Sequence, residues 1–337
     1  MTLFDTAWFP QEIPPKPNGY YAHIVTLRVT DSYALFQTDG ELNTARVRAG
    51  EQTPGFMSRI EIFKRKQTTP ERLVGRELLR RYSFLSAEPS TARTITTDAN
   101  NLPICDYNVA FCMTCPDCVT YGFAIGDSGS EKSKVITDTA YSLTPYDDSH
   151  ETRTLNAPFE HGTMSRQGEV TSRINEQDHV KPSVIFPAVV TVRDVTSNLF
   201  RYVLNNILRT RHYGAQTTRT GSMHNHIIAI VLADGEIFSN LKFTQRLYDA
   251  LLAQDAIHPP DPVDIHTALT TARTLVPELL REDGVTEQIV EDAALATLLQ
   301  ELRTADGAQL RQWLTAAFAD SRAYHERWIA RTRRRSG

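Results

Sequence analysis

The stretch from residue 184 to residue 232 predicts a strand, a helix and a second strand in direct succession. Val184–Val192 and Ile227–Leu232 are apolar runs rich in β-branched residues, as in buried strands. Between them, apolar residues recur in pairs on one stripe of an amphipathic helix: Leu199, Phe200, Val203, Leu204, Ile207 and Leu208. Ser197 is suited to cap this helix and Gly214 to end it. Such a unit restricts this part of the chain to a sheet with a helix packed on it.

The N-terminal part adds a strand and a helix to this unit. Tyr20–Thr30 has the aromatic and β-branched residues and the near-alternating polarity of a strand. A helix is predicted from Thr69 as N-cap, through Pro70 as its first residue, to about Tyr82. Pro187 predicts that its strand lies at a sheet edge or carries a bulge. Together these elements predict an α+β fold with a small sheet and helices on one face, as in an RRM/ferredoxin-like core.

The last third of the sequence has a different character. After residue 239, windows rich in Leu, Ala, Glu, Gln and Arg have helical periodicity: residues 240–254, 263–281, 286–303 and 308–330. Earlier, two long segments interrupt the sheet pattern, and segments of this length in a compact domain are usually functional or disordered. The predicted divisions are a first palm part (15–95), a cysteine-bearing insertion (96–140), a polar insertion (141–182), a second palm part (183–239) and a helical C-terminal region (240–337).

All four cysteines lie close together in the sequence: Cys105, Cys112, Cys115 and Cys118. In a cytosolic protein, such clustering indicates a metal rather than disulfides. Four thiolates at this spacing match a tetrahedral structural Zn²⁺ site, and a closed site of this kind leaves no open position for catalysis. Two alternatives stay open. One is an iron–sulfur cluster, although the order of the spacings differs from the ferredoxin pattern, and the other is a set of thiols without metal.

The polar insertion contains a run that suits RNA, from residue 156 to residue 175. Its glycines allow tight turns, its arginines can bind phosphates, and its amides can bond bases or sugars. A methionine in the same run can wedge against a base. The predicted RNA contacts are Met164, Arg166, Gln167, Arg173 and Asn175. The alternative is a solvated, flexible loop.

A second polar loop, residues 214–222, follows the amphipathic helix. Its hydroxyl, amide and guanidinium groups suit an anion, and the predicted RNA contacts are Gln216, Thr217, Thr218, Arg219, Thr220 and Ser222. The loop lacks the Gly-Lys-Ser/Thr ending of a P-loop, which argues against binding of a nucleoside triphosphate. We predict that a cationic track for a sugar–phosphate backbone also includes Arg59, Lys64, Arg65 and Lys66. The alternative is that the basic triplet of residues 64–66 is an ordinary solvated face.

The distribution of charge says more than the net charge of −4. Residues 41–81 contain ten Lys/Arg and five Asp/Glu, and residues 201–225 contain four Arg and no acid. Residues 231–320 contain six Lys/Arg and fifteen Asp/Glu. A basic surface can bind phosphates whatever the net charge of the chain. The alternative is ordinary fluctuation of charge along a chain.

Signals for catalysis, membrane insertion and secretion are absent from the sequence. No G-x-S-x-G, H-E-x-x-H or paired-carboxylate motif occurs, and no apolar stretch is long enough to span a membrane. The N-terminus has neither the basic nor the apolar region of a secretory signal. We therefore expect a cytoplasmic protein that is not an enzyme. Asp39 is the residue that an in-line RNA cleavage would use, although a turn explains it equally well.

Three stretches resemble the backbone subunit of the type I-D CRISPR Cascade complex, which is of the "Cas seven" kind within the RAMP superfamily. They are residues 64–80 (KRKQTTPERLVGRELLR), 156–173 (NAPFEHGTMSRQGEVTSR) and 214–221 (GAQTTRTG). The resemblance covers most of residues 20–235, and the helical C-terminal region adds little to it.

The resemblance implies an RRM-like palm with inserted elements, several copies of which stack along CRISPR RNA in a helical filament. The 141–182 insertion is then a thumb-like hairpin that displaces a guide base, with Arg166, Gln167 and Arg173 near the kink and Met164 wedged there. The cysteines match a zinc-bearing insertion near the target channel. The implied partners are CRISPR RNA, target DNA paired with the guide, further copies of this chain, and the large, small and 5′-end-capping Cascade subunits.

The predicted function is that of an RNA-binding structural subunit, which polymerises along CRISPR RNA and presents guide segments for pairing with target DNA. Contacts to phosphates and hydroxyls hold the guide without reading its sequence. Two alternatives stay open: a metal-independent endoribonuclease acting on guide or target RNA, and a stand-alone zinc-containing RNA-binding regulator.

Overall fold

Sixteen strands are seen in a computed structural model, which describes residues 7–38, 41–90, 97–124, 130–155, 165–166, 169–170, 175–214 and 218–330. Within those ranges the strands are β1 (Tyr21–Thr30), β2 (Gln37–Thr38), β3 (Glu41–Leu42), β4 (Thr44–Arg48), β5 (Phe56–Ile62), β6 (Phe123–Ala124), β7 (Ser130–Glu131), β8 (Val135–Thr137), β9 (Ala140–Tyr141), β10 (His150–Leu155), β11 (Ser165–Arg166), β12 (Glu169–Val170), β13 (Asn175–Val180), β14 (Ile185–Arg193), β15 (Met223–Ala233) and β16 (Glu287–Ile289).

The helices within the same ranges are α1 (Lys64–Arg81), α2 (Pro116–Tyr121), α3 (Tyr146–Ser149), α4 (Ser197–Arg209), α5 (Asn240–Ala253), α6 (Ile265–Asp283), α7 (Asp292–Thr304) and α8 (Gly307–Tyr324). A π-helical turn, His325–Ile329, follows the last of them. None of these helices combines the length and the apolar character that crossing a bilayer requires.

A five-stranded antiparallel sheet in the order β16-β15-β1-β14-β8 forms the centre of the fold. Side chains alternate along β1, so the strand contributes to two cores. Ala22 and Ile24 pack with α4, α7 and α8, whereas Val25, Leu27 and Val29 pack with α5 and α6. The expectation of helices on one face is therefore wrong. The apolar stripes of α5 and α6 need a partner, and the second face of the sheet provides it.

Helix α1 begins at Lys64, five residues before the predicted N-cap at Thr69. Pro70 consequently lies inside the helix, where it has no N–H to donate to Lys66 O four residues back. The N–H of Gly214 donates to this carbonyl oxygen instead, at 3.3 Å. A donor from a distant loop thus allows the helix to continue through a proline that reads in the sequence as a helix start.

Pro187 lies in β14 opposite Leu27 of the central strand β1. Two residues further on, the N–H of Val189 donates to Asn240 Oδ1 at 2.7 Å, on the side away from β1. The nitrogen of Pro187 points to the same side, because backbone orientation repeats every two residues. Strand β8 pairs there only with Val190–Val192. β14 is an inner strand of the sheet, but β8 does not extend as far as Pro187. The predicted edge position is therefore correct for the proline itself.

The amphipathic helix is confirmed as α4, with Thr196 rather than Ser197 as its N-cap: Thr196 Oγ1 accepts from Leu199 N at 3.4 Å. The helix ends at Arg209 and not at Gly214, because Thr210 is already extended. Gly214 has a positive φ of 93°, and an added Cβ would lie 2.5 Å from the carbonyl oxygen of Leu35. Glycine is needed here for the loop and not for the end of the helix.

The helical C-terminal region is confirmed, with one addition. The predicted window 286–303 divides into β16, which extends the central sheet, and α7. Gly284 adopts the left-handed conformation that ends α6, and Asp306 forms a capping box with Gln309 at the start of α8. The region is therefore continuous with the sheet and its two cores.

Candidate metal centre and nucleic-acid interface

The four cysteines converge on one point beside α1 and α2. Their Sγ atoms lie within 4.8 Å of one another, and all four residues are buried. Cys105 Sγ lies 4.0 Å from Cys115 Sγ and 3.6 Å from Cys118 Sγ. Cys115 caps the start of α2, which places Cys118 one turn further on the same side. The Cys-x2-Cys spacing thus delivers two sulfurs to the same position, as the sequence predicts.

The spacing of the sulfurs suits a single metal ion. A tetrahedron with Zn–S bonds of about 2.3 Å has sulfurs about 3.8 Å apart, close to the distances from Cys105. Sulfurs this close leave no room among them for several iron atoms with bridging sulfides. They are also too far apart for disulfide bonds. The four residues together can hold one thiophilic ion.

A buried network of charges connects the cysteine site to α1. Arg72 and Arg76, one turn apart on that helix, both donate to Asp117 of α2: Arg72 through a two-bond fork of 3.0 and 2.8 Å, and Arg76 at 2.6 Å. Arg76 Nη2 also donates to Cys105 Sγ at 3.2 Å. Hydrogen bonds to a metal-bound sulfur orient the ligand and tune its charge. Arg76 therefore couples the site to α1.

The four thiols divide by the direction in which their pKa is shifted. Burial raises the pKa of Cys115 and Cys118 well above that of a free thiol. Hydrogen bonds within the cluster outweigh burial and lower the pKa of Cys112, and the pKa of Cys105 is lowered as well. Burial alone lowers the pKa of Arg76, but the charge of Asp117 and then of the nearby sulfurs outweighs it and raises the pKa. The guanidinium is thus a permanent cation beside sulfurs that need one, or a metal ion, to remain as thiolates.

The polar insertion forms an antiparallel ladder, β10 with β13, that joins the rest of the fold at one end. His150 pairs with Val180, and Leu155 pairs with Asn175 at the far end. Val180 is buried and bridges to Ala34, whereas Arg153, further out, is exposed. The segment is thus two-stranded and anchored at its base, consistent with the predicted hairpin.

The residues predicted to contact RNA in this insertion are only partly covered by the structure. Met164, Gln167 and Arg173 lie outside the described residues. Arg166 belongs to β11, which pairs with β12, and Asn175 begins β13, but their side chains are outside the description. Their contacts with RNA therefore stay predictions.

The 214–222 loop is held against the segment that follows β1. Thr220 Oγ1 accepts from Leu35 N at 2.8 Å, and the N–H of Ser222 donates to Ser32 Oγ at 2.9 Å. Ser222 Oγ donates to Asp31 Oδ2 at 2.9 Å, so its hydroxyl is already engaged. Two predicted contacts of this loop, Thr218 and Arg219, are exposed, whereas Thr220 is buried and two others, Gln216 and Thr217, lie outside the described residues.

The loop and the ladder meet at Tyr33. The carbonyl oxygen of Tyr33 accepts from Gly221 N at 2.7 Å, and its hydroxyl donates to Glu151 Oε2 of β10 at 2.7 Å. The guanidinium of Arg153 stacks on the Tyr33 ring, 3.4 Å from its centroid. Two polar segments far apart in the sequence thus share one support. An aromatic residue shortly after β1, outside the predicted RNA contacts, is the sequence signal for this junction.

Arg59 occupies a position different from the predicted one. It is fully buried, and its guanidinium donates to Ser142 O and Leu143 O at 2.5 Å and to Ala49 O at 2.6 Å. Burial lowers its pKa to about 10. The expectation that Arg59 binds RNA requires correction, because its donors are used inside the protein.

The basic triplet divides in the same way. Lys66 is buried, and Nζ donates to Phe36 O and, at 2.6 Å, to Asn43 Oδ1, so the side chain joins the residue before β2 to the residue after β3. Burial lowers its pKa to about 8. Lys64 and Arg65 are exposed, although Lys64 Nζ also donates to Val135 O at 3.1 Å. Only the exposed pair can reach a phosphate; Lys66 is corrected to a structural role.

Comparison with known proteins decides the family. The sequence profile of the Csc2 CRISPR family matches residues 8–313, almost the whole chain. The chain belongs to this Csc2 family. None of the curated proteins compared with it matches.

Two solved structures resemble this chain. The crystal structure of Csc2 from Thermofilum pendens is similar, with a TM-score of 0.58 and 15% sequence identity, over 95% of this chain and 94% of that chain. A chain of a CRISPR RNA-guided surveillance complex aligns with a TM-score of 0.47 and 13% identity, over 89% of this chain and 98% of that chain. The first likeness shows that this Csc2-family chain has the mixed α/β fold of that crystal structure, including the helical C-terminal region.

Proposed function

We propose that this chain is a non-enzymatic, RNA-binding backbone subunit of a type I-D Cascade effector, and that it polymerises along CRISPR RNA. The observation that carries the proposal is the match of the Csc2 CRISPR family over residues 8–313. In this role the chain presents guide segments for pairing with target DNA, and it contacts further copies of itself and the large, small and 5′-end-capping subunits.

The central sheet supports an RRM-like palm. Its four core strands lie in the order β15-β1-β14-β8, which is fourth, first, third and second along the chain. Helix α1 lies between the first and second of these strands, and α4 connects the third to the fourth. A β-α-β-β-α-β succession with antiparallel pairing is the ferredoxin-like arrangement.

The RNA-contacting surface in this proposal is narrower than the sequence suggests. It comprises the exposed side chains Thr218, Arg219, Lys64 and Arg65, together with the β10–β13 ladder as the thumb. Arginines and hydroxyls hold a sugar–phosphate backbone irrespective of base sequence, as a subunit that accepts any guide requires. In this proposal, the segment from Met164 to Arg173 displaces a guide base.

The cysteine site has a structural part in this proposal and would hold Zn²⁺ through Cys105, Cys112, Cys115 and Cys118. The four sulfurs fill a tetrahedral coordination sphere, so the ion supplies folding free energy and offers no position to a substrate.

The test is recovery of RNA with the chain from its own host, with and without nuclease treatment. We expect discrete guide-length RNA, protected in fragments of regular length. Random short RNA, or none, contradicts the proposal. An Asp39→Ala variant of the complex should protect RNA as the wild type does. If it instead lost an RNA cleavage activity, the endoribonuclease alternative would replace the non-enzymatic role.

A further inference from the structure

The β4–β5 hairpin carries a face that the proposed function leaves unused. The two strands pair antiparallel, with Arg48 opposite Phe56 and Arg46 opposite Ser58. Residues directly opposite each other project to the same side, and the side alternates along the strand. Arg46, Arg48, Phe56 and Ser58 therefore share one face. Phe56 is 64% exposed there, the highest exposure among the large apolar side chains of the described residues, and both arginines are exposed.

The hairpin is anchored from its other side. Arg59, on the opposite face of β5, is buried and donates to Ala49 O at the end of β4. In the loop between the strands, the backbone N–H groups of Gln52 and Thr53 donate to the carboxylate of Asp249 in α5, at 2.8 and 3.0 Å. The exposed face is thus fixed before any ligand arrives, which reduces the entropic cost of binding.

The chemistry of this face fits a single-stranded nucleic acid. An exposed aromatic ring offers a stacking surface to a base, and a guanidinium directly across the strand pair, with its Cβ about 5 Å away, reaches a neighbouring phosphate. Within the described part of the chain, no carboxylate forms an ion pair with Arg46 or Arg48. Both cations are therefore available to phosphates.

A protein partner fits the same face less well. The core of a protein–protein interface is depleted of charge and needs contiguous apolar area. Phe56 stands instead between arginines and Ser58, and the other exposed large apolar residues lie outside this face: Phe63, Val109, Ile136, Leu252 and Trp328. A base flanked by phosphates satisfies the ring and both cations at once.

We propose that Arg46, Arg48 and Phe56 form a binding site for single-stranded nucleic acid, in which Phe56 stacks on one base and the two arginines pair with the flanking phosphates. The inference rests on the proposed function and adds to it a second contact surface, distinct from the 214–222 loop and the β10–β13 ladder. An RNA strand and a DNA strand share the chemistry that this site recognises.

The test is fluorescence anisotropy of the full chain with a labelled uridine-rich RNA and with the corresponding DNA strand. Phe56→Ala and Phe56→Leu should each weaken binding about tenfold, because one base loses its stacking partner. Phe56→Tyr retains an aromatic ring and should bind as the wild type does. Leu252→Ala, at another exposed apolar residue, is the matched control and should have no effect.

Charge is tested separately. The double variant Arg46→Ala/Arg48→Ala should lower the slope of log affinity against log salt by about 1.4, since each single-strand phosphate contact contributes about 0.7. Arg273→Ala, at an exposed arginine of α6, is the control. A loss seen only with RNA assigns the site to a guide-like strand, and a loss seen only with DNA assigns it to a target-like strand. Either result supports the site.

Failure of this inference can be distinguished from failure of the proposed function. If the wild-type chain binds neither strand, both fail. If it binds RNA but the Phe56→Ala and Phe56→Leu variants bind equally well, only the β4–β5 site is overturned. The site is also overturned if these variants change self-association in sedimentation while leaving nucleic-acid affinity intact, because the face is then a protein interface.

Discussion

Arg76 and Asp117 form a buried ion pair, with Nη1 2.6 Å from Oδ2 and both side chains inaccessible to solvent. One residue belongs to α1 and the other to α2, whose first turn carries Cys115 and Cys118. The same guanidinium donates to Cys105 Sγ. Helix α1 and the cysteine site therefore share one hydrogen-bond network, and disruption of either should destabilise the other.

Removal of the metal should destabilise the whole chain and not only the insertion. A structural Zn²⁺ site contributes several kcal/mol or more of folding free energy. We expect a strong zinc chelator to lower the thermal midpoint by at least about 10 °C, in one cooperative transition. Elemental analysis of the purified chain should find one zinc ion. A Cys115→Ser variant is the control, and chelator should shift it little further. Iron, or no metal, in the wild type contradicts the zinc assignment.

Asp117→Asn should destabilise the protein by about 3–5 kcal/mol. The substitution preserves shape but removes the carboxylate charge that pairs with the buried guanidiniums of both Arg72 and Arg76. Urea unfolding followed by circular dichroism measures the change. Glu278→Gln, at an exposed acid of α6, removes the same charge and should stay within about 0.5 kcal/mol of the wild type. Equal stabilities of the two variants would show that the network contributes nothing.

Several elements of this fold are predictable because their signals are local. The apolar runs of β1, β14 and β15, the stripe of α4 and the periodicity of the C-terminal helices each depend on neighbouring residues. The Cys-x2-Cys spacing is local as well, and it places Cys115 and Cys118 one turn apart at the start of α2.

What the sequence does not reveal depends on distant partners. Arg59 reads as a surface cation, yet carbonyl groups from residues 142 and 143 enclose it. Pro70 in α1 reads as a helix start, because proline is favoured at the first position of a helix. The N–H that replaces its missing donor comes from Gly214, which is distant in the sequence. Arg72 and Arg76 show by their spacing that they share a helix face, but nothing local shows that Asp117 meets them. Which polar groups are buried depends on tertiary contacts, and local residue patterns do not reveal these contacts.

The stability of the chain should fall in acid because of His23. The residue is buried, its Nδ1 and Nε2 lie 2.8 Å from Thr191 Oγ1 and 3.0 Å from Gly235 O, and burial lowers its pKa from 6.5 to about 4. Between those two pH values the unfolded chain binds a proton that the folded chain excludes. The contribution is thus intact above pH 6.5 and is lost as the pH falls towards 4, amounting to about 3 kcal/mol.

Denaturant unfolding across this pH range measures the effect of His23. His23→Gln retains hydrogen-bonding groups without titrating, so its stability should fall by about 3 kcal/mol less than that of the wild type between pH 6.5 and 4. Protonation of the cysteines is common to both proteins and cancels in the difference. His258→Gln, at an exposed histidine, should follow the wild-type curve. Parallel curves for His23→Gln and the wild type would rule out this source of acid sensitivity.

Arg219 and Arg59 should respond to substitution in opposite ways. Arg219 is exposed in the 214–222 loop, so Arg219→Ala should weaken RNA binding and lower the salt slope by about 0.7, with stability unchanged within about 0.5 kcal/mol.

Arg59→Ala leaves three buried carbonyl oxygens without a donor and should cost about 3 kcal/mol or more of folding free energy. The salt slope of RNA binding by the folded Arg59→Ala protein should stay that of the wild type. Anisotropy titrations at several salt concentrations, paired with urea unfolding, separate the two cases. A lowered salt slope with unchanged stability in Arg59→Ala would mean that this arginine faces RNA after all.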